Sequence, residues 1–65
     1  MVEPKNQYEQ GIHDAYYNSV NLATQAAVPE YARGVLDWQG ATFSAPPVST
    51  TFWDWHSWAS YLGLL

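Results

Sequence analysis

Tyr8, Ile12, Ala15, Ser19, Leu22 and Ala26 follow a 4-3-4-3-4 spacing, flanked by Tyr16, Ala23 and Ala27. Gln10, His13, Asp14, Asn18, Asn21, Thr24 and Gln25 fall on the opposite arc, so the stretch reads as an amphipathic helix with one apolar face. Asn6 supplies an N-cap, and Glu9 is placed as the capping-box carboxylate that reaches back to the cap amide. Gly11 costs such a helix about 1 kcal/mol relative to alanine, which the sustained pattern outweighs. Pro29 disfavours helical geometry at Val28 and removes an amide donor. The predicted helix therefore covers 7–27. Its face narrows to Ala23, Ala26 and Ala27, where a neighbouring backbone is expected to approach closely, while Tyr17 lies on the far side.

Proline is also at home in the first position of a helix. Tyr31, Val35 and Trp38 at i, i+4 and i+7 predict a second helix over 29–38, with Gly34 weakening it and Gly40 available for the exit. Over 41–50 the pair Pro46-Pro47 favours an extended strap without internal hydrogen bonds, anchored by Phe43. The prolines lack PxxP spacing and a nearby cation, which disfavours an SH3-type ligand. Thr51 and Asp54 form a capping signal for a third helix, predicted over 52–62. Phe52, Trp55, Trp58, Ala59 and Leu62 share one of its faces, Trp53 and Leu64 point away, and Tyr61 lies between. The expected fold class is mainly α: two to three short helices and a proline-containing strap in one unit of 65 residues, ending in an aromatic anchor over 51–65.

Composition changes this picture in one respect. Phe52, Trp53, Trp55, Trp58 and Tyr61 crowd the last fourteen positions, and each aromatic ring hides about 150–250 Å² when packed. A domain of roughly 60 residues buries only about 60% of its unfolded surface, so an autonomous large core is not expected and part of the cover should come from another molecule. Cysteine is absent, which removes disulfides and thiolate metal sites as staples. Lys5 and Arg33 are the only cations against six acidic residues, too few to neutralise a run of phosphates, so nucleic acid is not an expected partner. The first seven residues lack the basic start and apolar run of a secretory signal. The most apolar stretch, Phe52 to Leu65, is 14 residues long and carries Asp54 and His56, short of the roughly 20 that span a bilayer.

Each candidate for chemistry has a plainer rival. His56, among tryptophans, has the surroundings of a haem or chlorophyll ligand; the expected role is a hydrogen-bonded histidine at an interface. Glu9 and His13, one turn apart, form an exposed i,i+4 pair and supply only two ligands to a metal. Ser57 and Ser60 flank His56 without a third group or oxyanion donor, so no enzymatic activity is expected.

Together these features point to a small accessory or structural subunit peripheral to a large assembly. Tyr8, Ile12, Tyr16, Leu22, Ala26 and Trp38, with Phe52, Trp53, Trp55, Trp58 and Leu62, are the expected contacts to larger protein subunits. A bioenergetic or photosynthetic membrane complex is preferred, because Trp- and Tyr-rich segments too short to span suit its interfacial rim. A minor capsid or decoration protein of a virion is the alternative, and a pigment-binding antenna element using His56 the third reading. No cofactor is expected outside that third reading.

Overall fold

The computed structural model describes residues 2–44 and 49–63. The Pro46-Pro47 pair and Leu64 lie outside them. The chain is mainly α, with four helices and no strand among the described residues: α1 (Gln7–Tyr16), α2 (Leu22–Ala27), α3 (Pro29–Phe43) and α4 (Trp55–Tyr61).

Helix α1 starts as its capping signal requires. The Asn6 Oδ1 accepts the Glu9 amide at 2.9 Å. The Glu9 carboxylate reaches one residue further back than a standard capping box, taking the Lys5 amide at 3.0 Å. The helix then ends eleven residues before the predicted 7–27 stretch does. Asn18 takes a left-handed φ of 56°, the Asn18 amide donates to the Ala15 carbonyl at 3.1 Å, and the Ser19 amide donates to that of Asp14 at 2.7 Å. This pair of bonds is a Schellman stop, and asparagine is the non-glycine residue best able to hold its left-handed position. Asn21 then recaps the chain by accepting the Thr24 amide at 2.9 Å, which starts α2 as a separate helix. Val28 is both the end of α2 and the cap of α3, and Pro29 opens α3 in the position where its missing amide costs nothing.

Helix α3 runs five residues past the predicted 29–38 stretch, so Ala41, Thr42 and Phe43 are helical and not part of a strap. Gly40 does not end it. The third predicted helix, over 52–62, begins later: Thr50–Trp53 forms a turn closed by the Trp53 amide on the Thr50 carbonyl at 3.0 Å. Asp54, not Thr51, is the cap, accepting the Ser57 amide at 2.9 Å.

Helix α1 is the central element, packed on α3 and on α4, while α2 touches α3. Gly11 and Gly34 set the α1–α3 separation: a Cβ on Gly11 would collide with the Tyr31 carbonyl, and one on Gly34 with the Tyr8 carbonyl. The close approach expected at Ala23, Ala26 and Ala27 is therefore found elsewhere, and α2 buries no residue. The core has two parts. Ile12, Trp55, Trp58 and Ala59 form one, between α1 and α4; Ala15, Tyr31 and Val35 form the other, between α1 and α3. Trp38 packs against both.

Candidate docking surface

The aromatic C-terminal segment divides into an inner and an outer set. Asp54 starts α4 so that Trp55, Trp58 and Ala59 turn onto Ile12 and are buried there. Trp58 meets Trp38 edge-on with ring centroids 6.5 Å apart, and Trp55 meets His13 edge-on at 5.4 Å. Trp53 precedes the helix, lies half-buried against Trp58 at 5.0 Å and tilts against Tyr61 at 5.3 Å. The Tyr16 hydroxyl donates to the Trp53 carbonyl at 3.1 Å, so the turn ahead of α4 is pinned from α1. That turn holds Phe52 96% exposed, with Tyr61 42% exposed on the last turn of the helix. Trp53 and Tyr61 thus form an aromatic edge at the surface, and Phe52, next to Trp53 in the chain, stands free of it in water.

The expected contact residues separate accordingly. Ile12, Trp55 and Trp58 are consumed by the chain's own core and present nothing to a partner. Tyr8, Tyr16, Trp38 and Leu62 pack half-buried around that core. Leu22, 75% exposed, and Ala26 face water on α2, because the break at Asn18 rotates them off the face of α1. Phe52 is exposed and Trp53 partly so. Periodicity missed Tyr61 and, on α3, Leu36 and Phe43, which are 59% and 89% exposed; the signal was present as a second apolar stripe on that helix.

Polar groups knit the helices together. Asp14 is a hub: its Oδ1 takes Gln10 Nε2 and His13 Nδ1, each at 2.9 Å, and its Oδ2 takes the Tyr31 hydroxyl at 2.5 Å. That hydroxyl in turn accepts the Asn21 amide at 2.8 Å. An ionised carboxylate only accepts, so Nδ1 of His13 carries the proton. Burial works against the Asp14 anion, but the bonds from Tyr31, His13 and Gln10 outweigh it and hold the carboxyl below its ordinary value. On the other side of α1 the Tyr8 hydroxyl donates to Asp37 Oδ2 at 2.5 Å. Burial first, then the Asp37 bond and charge, push Tyr8 up to about 12. These two groups line a cleft of about 370 Å³ with Asn6, Glu30, Arg33 and Leu62.

Glu9 and His13 do not form the expected exposed pair. Glu9 is fully buried, with Oε2 lacking a partner among the described residues, and His13 is half-buried against Asp14. His56 is half-buried on the first turn of α4, its ring 5.4 Å from that of Trp55. Among the described residues no three His, Asp or Glu side chains come together as a metal site, and no helix is long and apolar enough to cross a membrane. No protein family, curated protein or solved structure matches the chain.

Proposed function

We propose that the chain is a small non-catalytic accessory subunit that docks by its aromatic edge onto a larger assembly, at the interfacial rim of a bioenergetic or photosynthetic membrane complex. The observation that carries this reading is Phe52, 96% exposed on a turn held by the Trp53 amide, the Tyr16 hydroxyl and the Asp54 cap. The turn fixes the backbone that carries the ring, so binding has to order only the Phe52 side chain and not the loop beneath it, which favours an aromatic anchor. Trp53, next to it in the chain, and Tyr61 are the residue types enriched where apolar and aqueous regions meet. The non-catalytic part of the proposal is supported by the polar groups, since Asp14, His13 and Tyr31 bond to one another and Asp54 is engaged as a cap.

Velocity sedimentation of a gentle detergent extract, with the chain tagged in its own cells, tests the reading. The wild type should travel with a particle many times its mass, and Phe52→Ser should return it to the light fractions. Flotation of the purified chain with anionic and neutral vesicles separates a membrane rim from a virion surface, since only the former predicts binding. Loss of a pigment band in a His56→Gln complex would assign the site to a chromophore instead. A chain found only in the light fractions overturns the proposal.

A further inference from the structure

Six oxidisable rings form an unbroken line of contacts. Tyr17 meets Tyr16 with ring centroids 4.8 Å apart, Tyr16 meets Trp38 at 6.4 Å, and Trp38 meets Trp58 at 6.5 Å. Trp58 then meets Trp53 at 5.0 Å, and Trp53 meets Tyr61 at 5.3 Å. Both ends reach water, Tyr17 being 55% exposed and Tyr61 42%, while Trp58 between them is buried. Trp55 is as well buried as Trp58 but stands off this line, because its ring neighbours are His13 and His56.

We infer that this line conducts single oxidising equivalents from the aromatic edge to Tyr17. Indole and phenol are the side chains that give up one electron most readily in a chain without cysteine, and electrons pass readily between π systems in contact. A one-electron oxidant of high potential at the edge takes an electron from Trp53 and is reduced by it. Trp58 refills Trp53, Trp38 refills Trp58, Tyr16 refills Trp38 and Tyr17 refills Tyr16, so Tyr17 alone ends one electron short. Its phenol proton leaves to water, and a neutral tyrosyl radical remains. A thiol that gives up a hydrogen atom returns both the electron and the proton.

Local bonding keeps the charge moving. Trp38 Nε1 is buried without a hydrogen-bond partner among the described residues, so the oxidised indole has nowhere to leave its proton and stays able to oxidise the next ring. The Tyr16 hydroxyl donates to the Trp53 carbonyl at 3.1 Å, an oxygen too weakly basic to keep the proton. The charge therefore settles on neither. It rests on an exposed phenol with water beside it, Tyr61 at the near end of the line or Tyr17 at the far end. Nothing in this route depends on which assembly the aromatic edge meets, and the isolated chain is enough to test it.

Because the chain has no cysteine, Phe52→Cys fixes a ruthenium polypyridyl at one place in the full chain, next to Trp53. Light and a cobalt acceptor convert it to the trivalent oxidant, and a nitroso spin trap followed by tandem mass spectrometry locates the radical. Adducts are expected on Tyr61 and Tyr17. Trp38→Phe in this background should lose the Tyr17 adduct and keep that on Tyr61, which shows that the oxidant still works. Trp55→Phe, the same truncation at an equally buried ring, should keep both. Tyr16→Phe breaks the line next to Tyr17 and should also lose the Tyr17 adduct; it decides the outcome should circular dichroism find Trp38→Phe unfolded. No adduct on Tyr17, an adduct there that survives in a folded Trp38→Phe or Tyr16→Phe chain, or an equal loss in a folded Trp55→Phe chain would each overturn the inference.

Discussion

Gly11 and Gly34 lie against each other's helix: the space where a Gly11 side chain would begin holds the Tyr31 carbonyl, and the corresponding space at Gly34 holds that of Tyr8. The first prediction follows from this reciprocity. Alanine gains about 1 kcal/mol of helix propensity at an open site, but here it meets backbone, which cannot rotate away. Overpacking costs about 1–3 kcal/mol or more, so Gly11→Ala and Gly34→Ala should each destabilise the chain by about 2 kcal/mol net. Gly40→Ala, with open space around it, should stabilise it by up to about 1 kcal/mol. Urea titrations of the three variants at low concentration check the contrast.

The Asp14 hub predicts the acid limb of stability. Its folded pKa lies below the ordinary value, so the stabilisation is present above the unfolded pKa of about 3.9 and is lost as pH falls through the folded value. The urea midpoint should therefore drop on acidification below about pH 4. Tyr31→Phe removes a charge-assisted bond from a buried ring. It should cost about 1.5–3 kcal/mol at neutral pH and flatten that acid limb.

Tyr8 sets the alkaline limb with the opposite sign. A raised pKa contributes stability below the unfolded value of about 10, which is lost as pH rises through the folded value of about 12. Ultraviolet titration should find Tyr8 and Tyr31 both ionising later than free tyrosine, since burial and the Asp14 bond push Tyr31 up as well, and Tyr8→Phe should remove one of the two late steps. The variant should also lose less stability between those two pH values than the wild type.

The inner and outer aromatics should fail differently. Trp55→Ala empties a buried site next to Ile12 and should cost about 3–5 kcal/mol of fold stability. Phe52→Ser should leave the melting curve nearly unchanged and remove on the order of 2 kcal/mol of docking free energy. Thermal melts beside the sedimentation assay separate the two.

Local rules made the helical class, the Asn6 cap and the Val28–Pro29 joint legible in the sequence, because each is decided within a few residues. The stop at Asn18 was hidden because Ser19, Leu22 and Ala26 keep the spacing of α1 although the backbone between them turns. Leu22 thus looked like core and is exposed. The two glycines were read as weaknesses because their value depends on a helix about twenty residues away in the chain. The face shared by Trp55, Trp58 and Ala59 was legible, because their spacing survives the later start of α4; what periodicity could not give was that start, which leaves Phe52 and Trp53 in the turn ahead of the Asp54 cap.

Trp38 shares in both halves of the core, yet the two halves close chain loops of unequal length. Contacts from Ala15 to Tyr31 span 16 residues, whereas the Tyr16 hydroxyl meets the Trp53 carbonyl 37 residues away. Closing the longer loop costs more entropy and comes later when local pairing is available. In refolding followed by pulsed hydrogen exchange, amides within α1 and α3 should gain protection before those of α4. During that interval Ile12 and the inner face of Trp38 stand open to water, so a chain arrested at this stage is a sticky intermediate whose hazard comes from the residues that are best hidden at the end.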